Sequence, residues 1–117
     1  MKYILLIYQG TTPLPGTERW KALSAEEQKT IHTEYAALNQ TPGITPGHPL
    51  GLPAAARTVR VRDGKVEVKN RTHLQEGAGG YFEFEAENME AAIALAARIP
   101  AARLGGAIEI RPAEQYW

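Results

Sequence analysis

The chain has no cysteine. That removes disulfide stapling, thiolate catalysis and every cysteine-bearing metal site. It has no net charge either: Lys plus Arg and Asp plus Glu are both 13. No overall field therefore draws it toward nucleic acid or an anionic membrane. Long hydrophobic runs are absent as well. The first segment, MKYILLIYQG, is continuously apolar only from Tyr3 to Tyr8. That is too short for a signal-peptide core or a membrane span, and no small-residue cleavage site follows. A cytoplasmic location is the expectation. The Gly-x-Gly-x-x-Gly turn, the Walker loop, the Gly-x-Ser-x-Gly elbow and paired histidines at helical spacing are all missing. Gly77-Ala78-Gly79-Gly80 leads into a strand and reads as a turn, not a phosphate cradle. Neither a cofactor nor a metal is expected. There is no internal repeat and no low-complexity tail, so residues 1–117 read as a single domain, long enough for a core of its own.

What the sequence does have is a clear strand, helix and strand between Gly79 and Pro112. From Tyr81 to Ala86 apolar and polar residues alternate. Phe82, Phe84 and Ala86 fall on one face, and Tyr81, Glu83 and Glu85 on the other. Asn88 is suited to cap a helix, and Glu90 complements its positive end. Met89, Ala92, Ile93 and Ala96 then recur as an apolar stripe. Pro100 ends the helix, and Gly105-Gly106 turns the chain into a strand over Ala107–Arg111, with Ile108 and Ile110 inward.

Earlier in the chain, the strand Tyr3–Tyr8 carries no charged residue, so both of its faces are expected to be buried. Two helices can cover only one of them, and a second subunit is the simplest cover for the other. Gln9 to Leu23 reads as a loop whose end is anchored by Trp20 and Leu23. Ser24-Ala25-Glu26-Glu27 is a capping box opening a helix to about Asn39, with Ile31, Tyr35 and Leu38 on its buried side. Thr41 to Pro53 holds four prolines and reads as irregular. Thr58–Lys69 is a hairpin turning at Asp63-Gly64. This pairs Arg62 with Lys65, Arg60 with Glu67 and Thr58 with Lys69 on one face. Val59, Val61, Val66 and Val68 form the other, expected to pack against the helices.

This order predicts an α+β fold, a ferredoxin-like sandwich with a hairpin elaboration. Its open sheet face is expected to present Arg60, Arg62, Glu67, Tyr81, Glu83, Glu109 and Arg111. Such mixed charges either line a polar cleft or are ordinary solvated cross-strand pairs.

Several segments, taken in order, resemble the YCII-related family, in its DGPF-type YciI-like branch. They are MKYILLIY, Trp20 with Leu23-Ser24-Ala25-Glu26-Glu27, GHPLGLPAAARTVRVRDGKVEV, and GGYFEFEAENMEAAIALAARIPAARLGGAIEIRP. The resemblance implies a dimeric α/β barrel, two ferredoxin-like subunits packed sheet to sheet around a cleft. The Asp-Gly-Pro-Phe signature of that branch is replaced here by Asn70-Arg71-Thr72-His73-Leu74-Gln75-Glu76. Some YciI relatives are proposed to use a histidine at the start of the first helix with an aspartate. Ser24-Ala25-Glu26-Glu27 stands there instead, so that pair does not carry over.

Two functions follow. One is a homodimeric regulatory or accessory protein holding a small polar ligand at Arg60, Tyr81, Glu83 and Arg111. The other is a lyase or dehydrochlorinase-like enzyme that moves a proton between a histidine and a carboxylate. Its candidates are His48 in the proline-rich loop, His73 in the replaced loop, and Glu76. His32, inside the first long helix, reads as a half-buried or surface residue. The run Arg57, Arg60 and Arg62 reads as a sheet face, not a nucleic-acid site.

Overall fold

A computed structural model describes residues 1–74 and 77–116. Glu76, the candidate acid of the replaced loop, lies outside the described residues. In chain order the elements are β1 (Lys2–Tyr8), a short α1 (Glu18–Lys21), α2 (Ala25–Asn39), β2 (Ile44–Pro46), β3 (Thr58–Arg62), β4 (Lys65–Lys69), β5 (Ala78–Glu85), α3 (Met89–Ala96) and β6 (Ala107–Pro112). One sheet has the order β2-β5-β1-β6, all neighbours antiparallel, and β3 and β4 form a second sheet of their own. This α+β order, with α2 and α3 as crossovers, is compatible with a ferredoxin-like sandwich.

The helices begin where their caps dictate. Ser24 Oγ accepts the Glu27 amide at 3.1 Å, and Glu27 Oε1 accepts the Ser24 amide at 3.1 Å. Asn88 Oδ1 accepts the Ala91 amide at 2.9 Å. In β1, Tyr3, Leu5 and Ile7 are buried and face α2 and α3. Leu5 lies opposite Phe82 on one side and Ile110 on the other. Burying each such side chain contributes about 1.5–3 kcal/mol. The opposite face of β1, Ile4, Leu6 and Tyr8, is only half-buried. The open face is thus a central apolar row, with Glu83 and Arg111 flanking Ile4, and Tyr81 and Glu109 flanking Leu6.

Four expectations need correction. Val59, Val61, Val66 and Val68 do not pack on the helices; the hairpin stands off the main sheet and all four are exposed. For the same reason Arg60, Arg62 and Glu67 belong to the separate hairpin and not to the open face of the main sheet. Residues 44–46 are not irregular. They pair with Phe84, Glu83 and Phe82 as an edge strand, where Pro46 is tolerated because its missing N–H faces no neighbour. In α3 the buried stripe is Ala92, Leu95 and Ala96, continued by Ile99, while Ile93 lies about 100° round the helix and is exposed.

The hairpin turn itself is as expected. Asp63 and Gly64 have φ of 51° and 75°, the two successive left-handed residues of a two-residue turn whose twist matches the strands.

Candidate functional site

The loop after β1, the start of β5, the face of α2 and the residues after β2 converge at one end of the main sheet. Between them is a cavity of about 360 Å³. His32, Tyr35 and Asn39 reach it from α2, because positions three and four apart share one helix face. His48 comes from the loop after β2, Tyr81 and Phe82 from β5, and Gln9 from the loop after β1. Leu14, Pro15, Pro46 and Pro49 complete largely apolar walls.

Glycines permit this convergence by close approach. A Cβ on Gly47 would sit 2.5 Å from the Tyr81 carbonyl oxygen, and one on Gly79 would meet the Gln9 side chain. The Gly47 amide donates to that same Tyr81 oxygen at 3.0 Å, and the Leu50 amide to the Gly79 oxygen at 2.9 Å. The proline-rich loop is thereby stitched alongside β5, which places His48.

His32 is fixed from behind. Trp20, almost fully buried, meets its ring edge-on at 5.1 Å between centroids and 73° between planes. Trp20 is held in turn by Gln28, whose Nε2 donates to the Trp20 carbonyl at 2.9 Å. Burial pushes the Tyr35 phenol above its ordinary value, and its hydrogen bond with the Ala101 backbone acts the other way. Tyr35 is therefore a neutral phenol at neutral pH, and its hydroxyl is engaged by the Ala101 backbone, which is not part of the cavity lining. Gln9 Oε1 and, nearby in the same loop, Thr12 Oγ1 are buried without a hydrogen-bond partner among the described residues. An acceptor left so costs about 1–3 kcal/mol, which makes this loop the least satisfied part of the site.

The sequence-predicted residues are dispersed. His48 and Tyr81 share the cavity. His73 does not; it lines a separate open groove with Tyr8, Arg60 and Leu74. Arg60 sits there on the hairpin, and Glu83 and Arg111 lie on the open sheet face on either side of Ile4. Among the described residues neither His48 nor His73 is paired with a carboxylate, and no carboxylate lines the His48 cavity. His32, Tyr35 and Asn39 were not singled out from the sequence as site residues. Their spacing on one face of α2 was the available signal.

Among the described residues no helix is long and apolar enough to cross a membrane. No protein-family model matches the chain, and no curated protein matches it.

Proposed function

We propose that this is a YCII-related, cytoplasmic binding protein of regulatory or accessory type. Two copies pair through the open face of β1, β5 and β6, and each holds a small polar ligand in the cavity at His48. One observation carries the reading. Two imidazoles and two side-chain amides line one mostly apolar cavity of about 360 Å³ together with Tyr35 and Tyr81, within the range of small-molecule sites. Imidazole and amide groups donate and accept hydrogen bonds without demanding a particular charge, so they suit a small ligand with a few polar groups on an apolar body.

The enzymatic alternative requires a carboxylate to orient the histidine. The described lining of the cavity contains none, which favours binding over proton transfer. The pairing of copies is supported by the family resemblance and by the half-buried row Ile4, Leu6 and Tyr8, which nothing in the described chain covers.

The test is titration of a library of small metabolites against isotope-labelled protein. Binding is expected to move the amide signals of His32, His48, Gly79 and Tyr81 together, and His48→Ala to abolish the shifts. Ligand shifts confined to other surfaces, or unchanged by His48→Ala, contradict the assignment.

A further inference from the structure

The cavity at His48 does not end at its own walls. Gln9, Leu14, Pro15, Pro49 and Gly79 line it, and the same five residues line a second cleft of about 630 Å³. Two spaces that share this much wall are adjoining lobes of one site. Gln9 stands at the neck between them.

The lobes differ in side-chain chemistry. His32, Asn39 and His48 belong to the first alone. The second adds Leu50, Leu52, Pro53 and Ala78, with glycines between them, and Gln9 is its one polar side chain among the described residues. No carboxylate, lysine or arginine of the described residues lines either lobe.

Leu50 and Leu52 are exposed to 50 % and 48 %. Single exposed leucines need no explanation. These two, however, are held in place beside the site. The Leu50 amide donates to the Gly79 carbonyl at 2.9 Å, and the Leu52 carbonyl accepts the Ala55 amide at 2.8 Å. Pro49 and Pro53 fix the backbone on either side. In the loop after β1, the Leu14 carbonyl accepts the Thr17 amide at 3.0 Å and the Thr17 hydroxyl at 2.6 Å. Walls tied in this way form a recess before any ligand arrives, which lowers the cost of filling it.

We infer that the site takes an elongated amphipathic molecule, with a neutral hydrogen-bonding head among His32, Asn39 and His48 and an aliphatic tail along Leu14, Leu50 and Leu52. This rests on the binding role proposed for the His48 cavity, and it names the class of ligand that the cavity by itself leaves open.

Continuity selects a tail joined to the head. The neck belongs to both lobes, so one molecule can cross it and bury apolar surface on each side. Charge selects a neutral head, because a phosphate or carboxylate would be desolvated with no lysine or arginine beside it. The neck also has an unmet need: Gln9 Oε1 lacks a partner among the described residues. An O–H or N–H on the head supplies the missing donor when the amide turns to meet it.

The test titrates straight-chain primary alcohols, from n-butanol to n-nonanol, into the isotope-labelled full chain. Every member is expected to move the amide signals of His32, His48 and Tyr81. Only the longer members should also move Leu50 and Leu52. Affinity should rise about fourfold for each methylene that enters the second lobe, and level off once the tail emerges into water.

Leu52→Asp separates the lobes, because Leu52 does not line the His48 cavity. It is expected to weaken n-nonanol about tenfold, since a carboxylate there must lose water against the tail, and to leave n-butanol within about twofold. Leu52→Met should keep both within about threefold, as a volume-conserving apolar swap. A thermal melt of each variant checks that the fold is intact.

Binding at His48 that does not strengthen with chain length, or n-nonanol binding untouched by Leu52→Asp, overturns the tail and spares the cavity. Shifts of Leu50 and Leu52 by n-nonanol that persist unchanged in His48→Ala overturn the joining of head and tail. Absence of binding by every alcohol overturns the amphipathic class, while the metabolite titration decides the cavity separately.

Discussion

Gly79 and Gln9 occupy space that only a residue without a side chain can share. A Cβ on Gly79 would lie 2.3 Å from Gln9 Cγ and 2.4 Å from Nε2. Because Gln9 is a flexible side chain, Gly79→Ala is expected to swing its amide out of the cavity while leaving the sheet in place. Ligand affinity should fall about tenfold, the worth of one or two lost hydrogen bonds, with the melting temperature little changed. Calorimetric titration beside a thermal melt measures both. Equal affinity in the variant shows that Gln9 is no part of the site.

Gly47→Ala should behave in the opposite way. Its Cβ would come within 2.5 Å of the Tyr81 carbonyl oxygen, a backbone atom that cannot rotate aside. The substitution is expected to cost about 1–3 kcal/mol of stability through overpacking, and to detach the His48 loop from β5. Urea denaturation reads the loss. A variant as stable as the wild type contradicts the close approach.

Leu5 and Leu6 are neighbours in sequence but serve different interfaces. Leu5 is fully buried beneath the helices, and Leu5→Ala should cost about 2–5 kcal/mol at any protein concentration. Leu6 lies in the row on the open face. Leu6→Ala should change the unfolding of an isolated subunit by far less and weaken pairing instead, so that its effect grows with concentration. Denaturation at two protein concentrations separates the cases.

Glu34 and Arg103 tie α2 to the turn before β6 through a two-pronged ion pair at 2.5 Å. The hydrogen bond from Arg103 holds the Glu34 carboxyl below its ordinary value, against a smaller opposing effect of burial. A carboxyl lowered in the folded state contributes stability above its unfolded value of about 4.3, and that contribution is lost as pH falls through the folded value. Since the Arg103 side chain is 47 % exposed, solvent screening limits the pair to about 0.5–1 kcal/mol. Glu34→Gln should be less stable than the wild type by that amount at pH 7, with the gap closing in strong acid. A gap independent of pH contradicts an ionic origin.

How much of this was legible in the sequence depended on how local each cause is. The capping box at Ser24, the cap at Asn88 and the Asp63-Gly64 turn are set by residues two to three apart, and each stands where the sequence places it. The strand at Ile44–Pro46 exists only because β5 lies beside it, so no pattern within its three residues announces it. The alternating valines of the hairpin declare an apolar face but not its cover, and the cover predicted from the fold is not there. The stripe in α3 was displaced by one position because alanine gives little contrast; Leu95, not Ile93, marks its centre. At the site, His48 and Tyr81 were legible as single residues. Their meeting with His32 depends on Trp20 and on a loop laid alongside β5, both long-range relationships.

The most direct test of the account is native mass spectrometry of the full chain after gentle purification. It should show a species of twice the 12.8 kDa chain mass, carrying a discrete small-molecule adduct that is reduced in His48→Ala. A bare monomer at every concentration would contradict the account, because it would leave the open sheet face uncovered and the cavity without a retained ligand.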